Sequence, residues 1–136
     1  MSYTNPTLSY PKARDTLTKI FPIARTDNAT VKCWLPKDAV VCSIHVYQNV
    51  NAATAAATFS VGWSGAASAL INGFSMATTA VGLQNPGTAT GTSFMSKLTE
   101  DKAITSTYAV GSSTAGGTGF VILEYFIPGA GEAVDD

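Results

Sequence analysis

With 136 residues the chain is long enough for one domain and one hydrophobic core. Charged side chains make up only 12% of it, the formal net charge is −1, and no basic cluster occurs, which excludes the electrostatic footprint of a nucleic-acid binder. No window reaches the ~18 consecutive apolar residues of a membrane-spanning helix, and the opening Met-Ser-Tyr-Thr-Asn-Pro lacks the basic and apolar regions of an export signal, so folding in a cytoplasm is expected.

Residues 1–15 hold Tyr3, Pro6, Tyr10, Pro11, Lys12, Arg14 and Asp15 with no clean period. Each proline pushes the residue before it out of the helical region, so an extended N-terminal arm is predicted. Such an arm is either a frayed terminus or a segment that orders on a neighbour, with its tyrosines as anchors. A β-domain over 16–128 and a small, acidic, flexible tail over 129–136 complete the division.

Leu17–Ala24 is apolar but broken by Pro22, which removes a ladder donor and predicts an edge strand. Ala29–Leu35 and Val40–Tyr47 flank Pro36-Lys37-Asp38-Ala39, where Pro36 presets φ for a turn, and a hairpin is expected. Its register would set Leu35 opposite Val40, Cys33 opposite Cys42 and Val31 opposite Ile44 on a core face. Thr30, Lys32, Trp34, Ser43, His45 and Tyr47 then face outward. Ala57, Phe59, Val61 and Trp63 alternate with small polar residues as a half-buried strand. Ser64–Ser68 reads as a turn, and Leu70–Met76 as a weaker strand with Gly73 at a bulge. Gly82–Thr92, containing Asn85-Pro86-Gly87, reads as the longest loop. Phe94–Leu98 and Ile104–Val110 read as short strands, and a Gly/Ser/Thr loop over 111–118 follows.

The most telling stretch is Gly119–Pro128, Gly-Phe-Val-Ile-Leu-Glu-Tyr-Phe-Ile-Pro, β-branched and aromatic between Gly-rich and Pro-Gly boundaries. Left solvated, it would pair with copies of itself. Val121, Leu123, Tyr125 and Ile127 suit a core. The alternate face carries Phe120, Ile122, Glu124 and Phe126, and a lone carboxylate makes a dry core costly there. That face is a candidate for packing on a second copy of the chain; cover by the chain's own loops is the alternative. About eight strands and no convincing helix predict an all-β fold, a single antiparallel β-sandwich of jelly-roll type.

Reactive chemistry is sparse. The one histidine, His45, shares a face with Ser43, but no strained nucleophile turn accompanies the pair. Two cysteines and one histidine do not make a zinc site, and no metal or other cofactor is expected. Cys33 and Cys42 are read as core thiols, with a strained cross-strand disulfide as the alternative. Trp34, on the outer face, suits a protein hot spot or a sugar-stacking platform; tucked against the N-terminal arm, it would be neither.

The turn Leu35-Pro36-Lys37-Asp38-Ala39-Val40-Val41, the connection Lys97–Ile104 and the closing Gly116–Tyr125 resemble the small head decoration (cement) proteins of tailed bacteriophages, over residues 29–127. The Pro22 strand and the acidic tail have no counterpart there. The resemblance implies a compact, often trimeric β-domain seated where capsomers of the major capsid protein meet, clamping the mature shell from outside. It implies no catalytic residue, no small-molecule substrate and no contact with nucleic acid or membrane. Under it, Tyr3, Tyr10, Arg14, Trp34, Asn85 and Pro86 are candidates for shell or partner contact. A carbohydrate-binding sandwich using Trp34, Trp63 or Tyr47, another phage component such as a fibre head, and a small enzyme resting on Ser43 and His45 are the competing readings.

Overall fold

The computed structural model describes residues 16–53, 57–76, 81–111, 113 and 115–128; the arm 1–15 and the tail 129–136 lie outside the described residues. Eight strands run in chain order: β1 Leu17–Ile23, β2 Thr30–Leu35, β3 Val40–Val50, β4 Thr58–Trp63, β5 Ala66–Ser75, β6 Gly82–Gln84, β7 Lys102–Ala109 and β8 Thr118–Phe126. A single 3₁₀ turn, Gly87–Ala89, is the only helical element among the described residues. The strands form two antiparallel four-stranded sheets, ordered β1-β8-β3-β6 and β2-β7-β4-β5.

That order follows from folding the chain in half at Ser64-Gly65. β4 then pairs with β5, β3 with β6, β2 with β7 and β1 with β8. Rolling this double ribbon adds the pairs β3–β8 and β4–β7, which gives the jelly roll that strand number and turn spacing predict. β1 is an edge strand, as Pro22 requires. The bulge expected at Gly73 is present: its φ is +68°, and the β4–β5 register slips between Phe59/Phe74 and Val61/Ile71.

The core lies between the sheets. Phe59, Val61, Leu70, Ile71, Ile104, Val121 and Leu123 are sealed, and the Phe59 and Phe74 rings meet edge to face at 5.7 Å. Trp63, read as core, is only half-buried at its margin, with the Lys102 ammonium 5.3 Å from its ring centre.

Several sequence expectations are overturned. β2 and β3 do not form a hairpin: Pro36–Ala39 carries the chain from one sheet to the other, and the two strands pair instead with β7 and β8. A turn signal encodes a reversal, not the sheet in which the next strand lands. Bulges between Val31 and Cys33 and between Val41 and Ser43 then change parity, so Val31 is exposed and Cys42 is half-exposed at its bulge rather than facing Cys33. Both cysteines are free. Residues 82–92 are not one loop, since Gly82–Gln84 pairs with β3, and Ser64–Ser68 shrinks to a two-residue turn. Phe94–Leu98 is not a strand; residues 91–98 cross the open side of the sandwich. Gly91 and Ser93 donate to the β5 carbonyls of Leu70 and Ala69, Met95 donates to Val41, and Leu98 donates to Ala39. These bonds satisfy backbone that would otherwise leave two edges bare.

The end of the sandwich opposite residues 36–39 is closed by a polar clamp. Arg25 donates to the Ser113 hydroxyl (3.1 Å), the Ser113 carbonyl (2.8 Å) and the Gly116 carbonyl (2.9 Å), and lies 5.9 Å from the Tyr108 ring centre. The Tyr108 hydroxyl donates to the Gly117 carbonyl at 2.8 Å. Beside them buried Asp27 accepts from the Ala24 amide and pairs with Lys32 at 3.0 Å. Gly117 has φ +77°, and a Cβ there would fall on the Tyr108 hydroxyl. Gly117→Ala is therefore expected to cost about 2 kcal/mol or more and to lower the melting temperature by several degrees, checked by thermal denaturation.

Candidate functional site

β8 is bonded on both sides, to β1 and to β3, and its side chains alternate as its composition predicts. Val121, Leu123 and Tyr125 are buried, while Phe120, Ile122, Glu124 and Phe126 stand on the outer face of the β1-β8-β3-β6 sheet. The ladder register aligns this face into rows. Pro22, Phe120, Tyr47 and Leu83 form one row across all four strands. Ile20, Ile122 and His45 form the next, and Thr18, Glu124 and Ser43 the third.

The first row is apolar and open to solvent, and the second adds exposed Ile20 and half-buried Ile122 beside half-buried His45. Ile20 and Leu83 are each 62% exposed, Tyr47 45% and Phe120 40%. Apolar side chains on a surface are ordinary when scattered; here they form a contiguous row that spans the whole sheet. The third row supplies its polar margin: Glu124 is half-buried between Thr18 and Ser43 and has no ion-pair partner among the described residues. The four candidate residues on β8 are thus brought together. Ile20, Tyr47 and Leu83 complete the face through strand order, which no local pattern in the chain encodes.

Of the candidate partner-contact residues, the three that are described, Trp34, Asn85 and Pro86, do not share one surface. Trp34, 60% exposed on β2, lies at the β1/β2 side of the sandwich, in a cavity of about 380 Å³ lined also by Lys19, Leu35, Pro36, Asp101 and Tyr125. Asn85 and Pro86 follow β6 on the opposite side; Asn85 is exposed and its side chain accepts from the Gly87 amide, whereas Pro86 is buried. Tyr3, Tyr10 and Arg14 lie outside the described residues. A second, more enclosed groove of about 460 Å³, lined among others by Val31, Trp63, Gly65, Ala67 and Ala103, runs over the other sheet.

Ser43 Oγ and His45 Nδ1 lie 3.3 Å apart. They stand on the open face of a sheet, and no carboxylate contacts His45 among the described residues, so neither an orienting group nor a water-excluding pocket accompanies the pair. No group of three or more His, Cys, Asp or Glu side chains converges among the described residues.

In fold, the chain is similar to a chain of the cyanophage Pam1 capsid asymmetric unit. The likeness covers 94% of this chain and 100% of that one, with a TM-score of 0.63 and 21% sequence identity. No protein-family model and no curated protein matches the sequence. At that identity the likeness shows a shared fold.

Burial pushes the Cys33 thiol above its ordinary value, with Lys19 pulling the other way; burial also raises Cys42, whose thiol donates to the Glu124 carbonyl at 3.6 Å. A raised pKa means less thiolate at any given pH, and a folded state that holds its proton longer than the unfolded chain. Labelling by a thiolate-selective reagent is expected to lag free cysteine through the range around pH 9.0, and stability to fall as pH climbs through it. Labelling rates and melting temperatures across that range check both.

Proposed function

We propose that the chain is a virion structural protein that attaches to the outside of a phage capsid, joins copies of itself through the β1-β8-β3-β6 face as a trimer, and stabilises the mature shell. The observation that carries this reading is the contiguous apolar row on an otherwise complete sheet. The fold shared with a capsid component of a cyanophage supports the setting, although a jelly roll also serves lectins and many other functions.

Energetics shape the mechanism. Fully covering an Ile, Leu or Phe side chain is worth about 1.5–3 kcal/mol, and these are already half-covered, so the row yields roughly 4–6 kcal/mol. Association costs an estimated ~4–15 kcal/mol in lost freedom. The face alone therefore gives weak, concentration-dependent self-association. Contacts with the shell, from the arm including Tyr3 and from the connection that carries Asn85 and Met95, add the remainder. Met95 is 57% exposed. Many such copies binding only the expanded lattice stabilise it by mass action and multivalency. No step of this mechanism needs a catalytic group.

Two measurements test it. Light scattering of concentrated protein is expected to give a mass above that of the 14.1 kDa chain, and Phe120→Lys/Leu83→Lys should return it to one chain. Both sites are exposed, so the melting temperature should barely move. Co-sedimentation with emptied, undecorated phage shells is expected to show saturable binding that raises the temperature at which the shells rupture. A strict monomer that ignores shells contradicts the reading. Trp34-dependent hits on a glycan array without shell binding would favour the carbohydrate-binding alternative.

A further inference from the structure

The Trp34 cavity lies beside the point where the described chain begins. β1 starts at Leu17, which pairs with Tyr125, and both Lys19 and Tyr125 line the cavity. The described chain therefore enters β1 at the rim of the sandwich. Its lining is an exposed indole, the Pro36 ring, one ammonium and one carboxylate. Neither Lys19 nor Asp101 has an ion-pair partner among the described residues. Asp101 accepts from the Lys37 amide through Oδ1 at 2.8 Å, which leaves Oδ2 for a further donor.

We infer that this cavity holds the arm of its own chain, with the stretch Tyr10-Pro11-Lys12-Ala13-Arg14-Asp15 lying across Trp34. Three features of the chain support that occupant over a separate ligand. Proline-bearing extended segments dock on aromatic-lined grooves, because a preformed polyproline conformation loses little entropy there. The charges complement one another: Lys12 and Arg14 are opposite in sign to the Asp101 carboxylate, and Asp15 to the Lys19 ammonium. Reach is ample, since six residues extend up to about 20 Å. Tethering at Thr16 places the segment at a local concentration on the order of millimolar, so a modest contact suffices. This goes beyond the proposed attachment to a shell. It makes Trp34, Tyr10 and Arg14 an internal clasp and leaves the residues before Ser9, Tyr3 among them, to reach outward.

The test is limited trypsin digestion of the full chain, followed by mass spectrometry at Lys12 and Arg14. It needs no shell, so its outcome is separate from that of the proposed function. Docking protects these bonds, and Trp34→Ala, an exposed substitution, is expected to speed their cleavage roughly five- to thirtyfold with an unchanged melting temperature. Asp101→Asn should speed it less. In the unsubstituted chain protection should be independent of protein concentration. Equal cleavage of Trp34→Ala and the unsubstituted chain overturns the inference. Protection that grows with concentration also overturns it, and assigns the cavity to a neighbour's arm. Unprotected bonds, together with a Trp emission shift on adding a neutral disaccharide that Trp34→Ala abolishes, would overturn it in favour of a sugar platform.

Discussion

A strand that is hydrogen-bonded on both sides still has two faces, and a sandwich has only one core to bury them in. β8 is that strand here. Its backbone is used by β1 and β3, and its odd residues close the core. Its even residues, three large apolar groups and one carboxylate, are left on the outside. The jelly roll cannot relieve this, because the second sheet lies against the other face. β1, β3 and β6 extend the row rather than cover it, contributing Ile20, Pro22, Tyr47 and Leu83. The surplus of apolar surface is thus a consequence of strand order acting on one segment.

Much of the architecture was legible in the sequence wherever a period-two pattern ran unbroken. Phe59 and Val61 on β4, Val121 and Leu123 on β8, the edge position forced by Pro22 and the kink at Gly73 all follow from local chemistry. Legibility failed where the pattern was shifted by one residue. The extra residues at the β2 and β3 bulges put Val31 outside and bring Val41 inside, so alternation counted from Leu35 fails at Val31, and alternation counted from Val40 fails at Val41 and Cys42 but holds again from Ser43 onward. β6, at three residues, is too short to show alternation, and residues 91–98 bond to existing strands without forming one. The partners of Trp34 were out of reach for another reason. Lys19, Asp101 and Tyr125 come from segments far apart in the chain, and only the rolling of the ribbon gathers them.

The composition fits a molecule whose work is contact. With few charges and a high proportion of small residues, its sheets can approach other surfaces closely, and little repulsion opposes close packing of many copies. The rigid parts are the sealed core and the Arg25–Tyr108 clamp, at the end away from the Trp34 cavity. The proposed binding surfaces lie elsewhere, on one sheet face and around the opposite end. Stability and attachment thereby fall to separate sets of residues, and surface changes at Phe120 or Trp34 can be read without confusing loss of contact with loss of fold.

Hydroxyl-radical footprinting of the protein, diluted and then on shells, reads the outer sheet most directly. If copies meet there, oxidation of Phe120, Tyr47 and Leu83 drops together on assembly while exposed Val31 on the other sheet keeps its rate. If those three side chains are oxidised as fast on the shell as in dilute solution, the apolar row is not an interface and the account of its function fails.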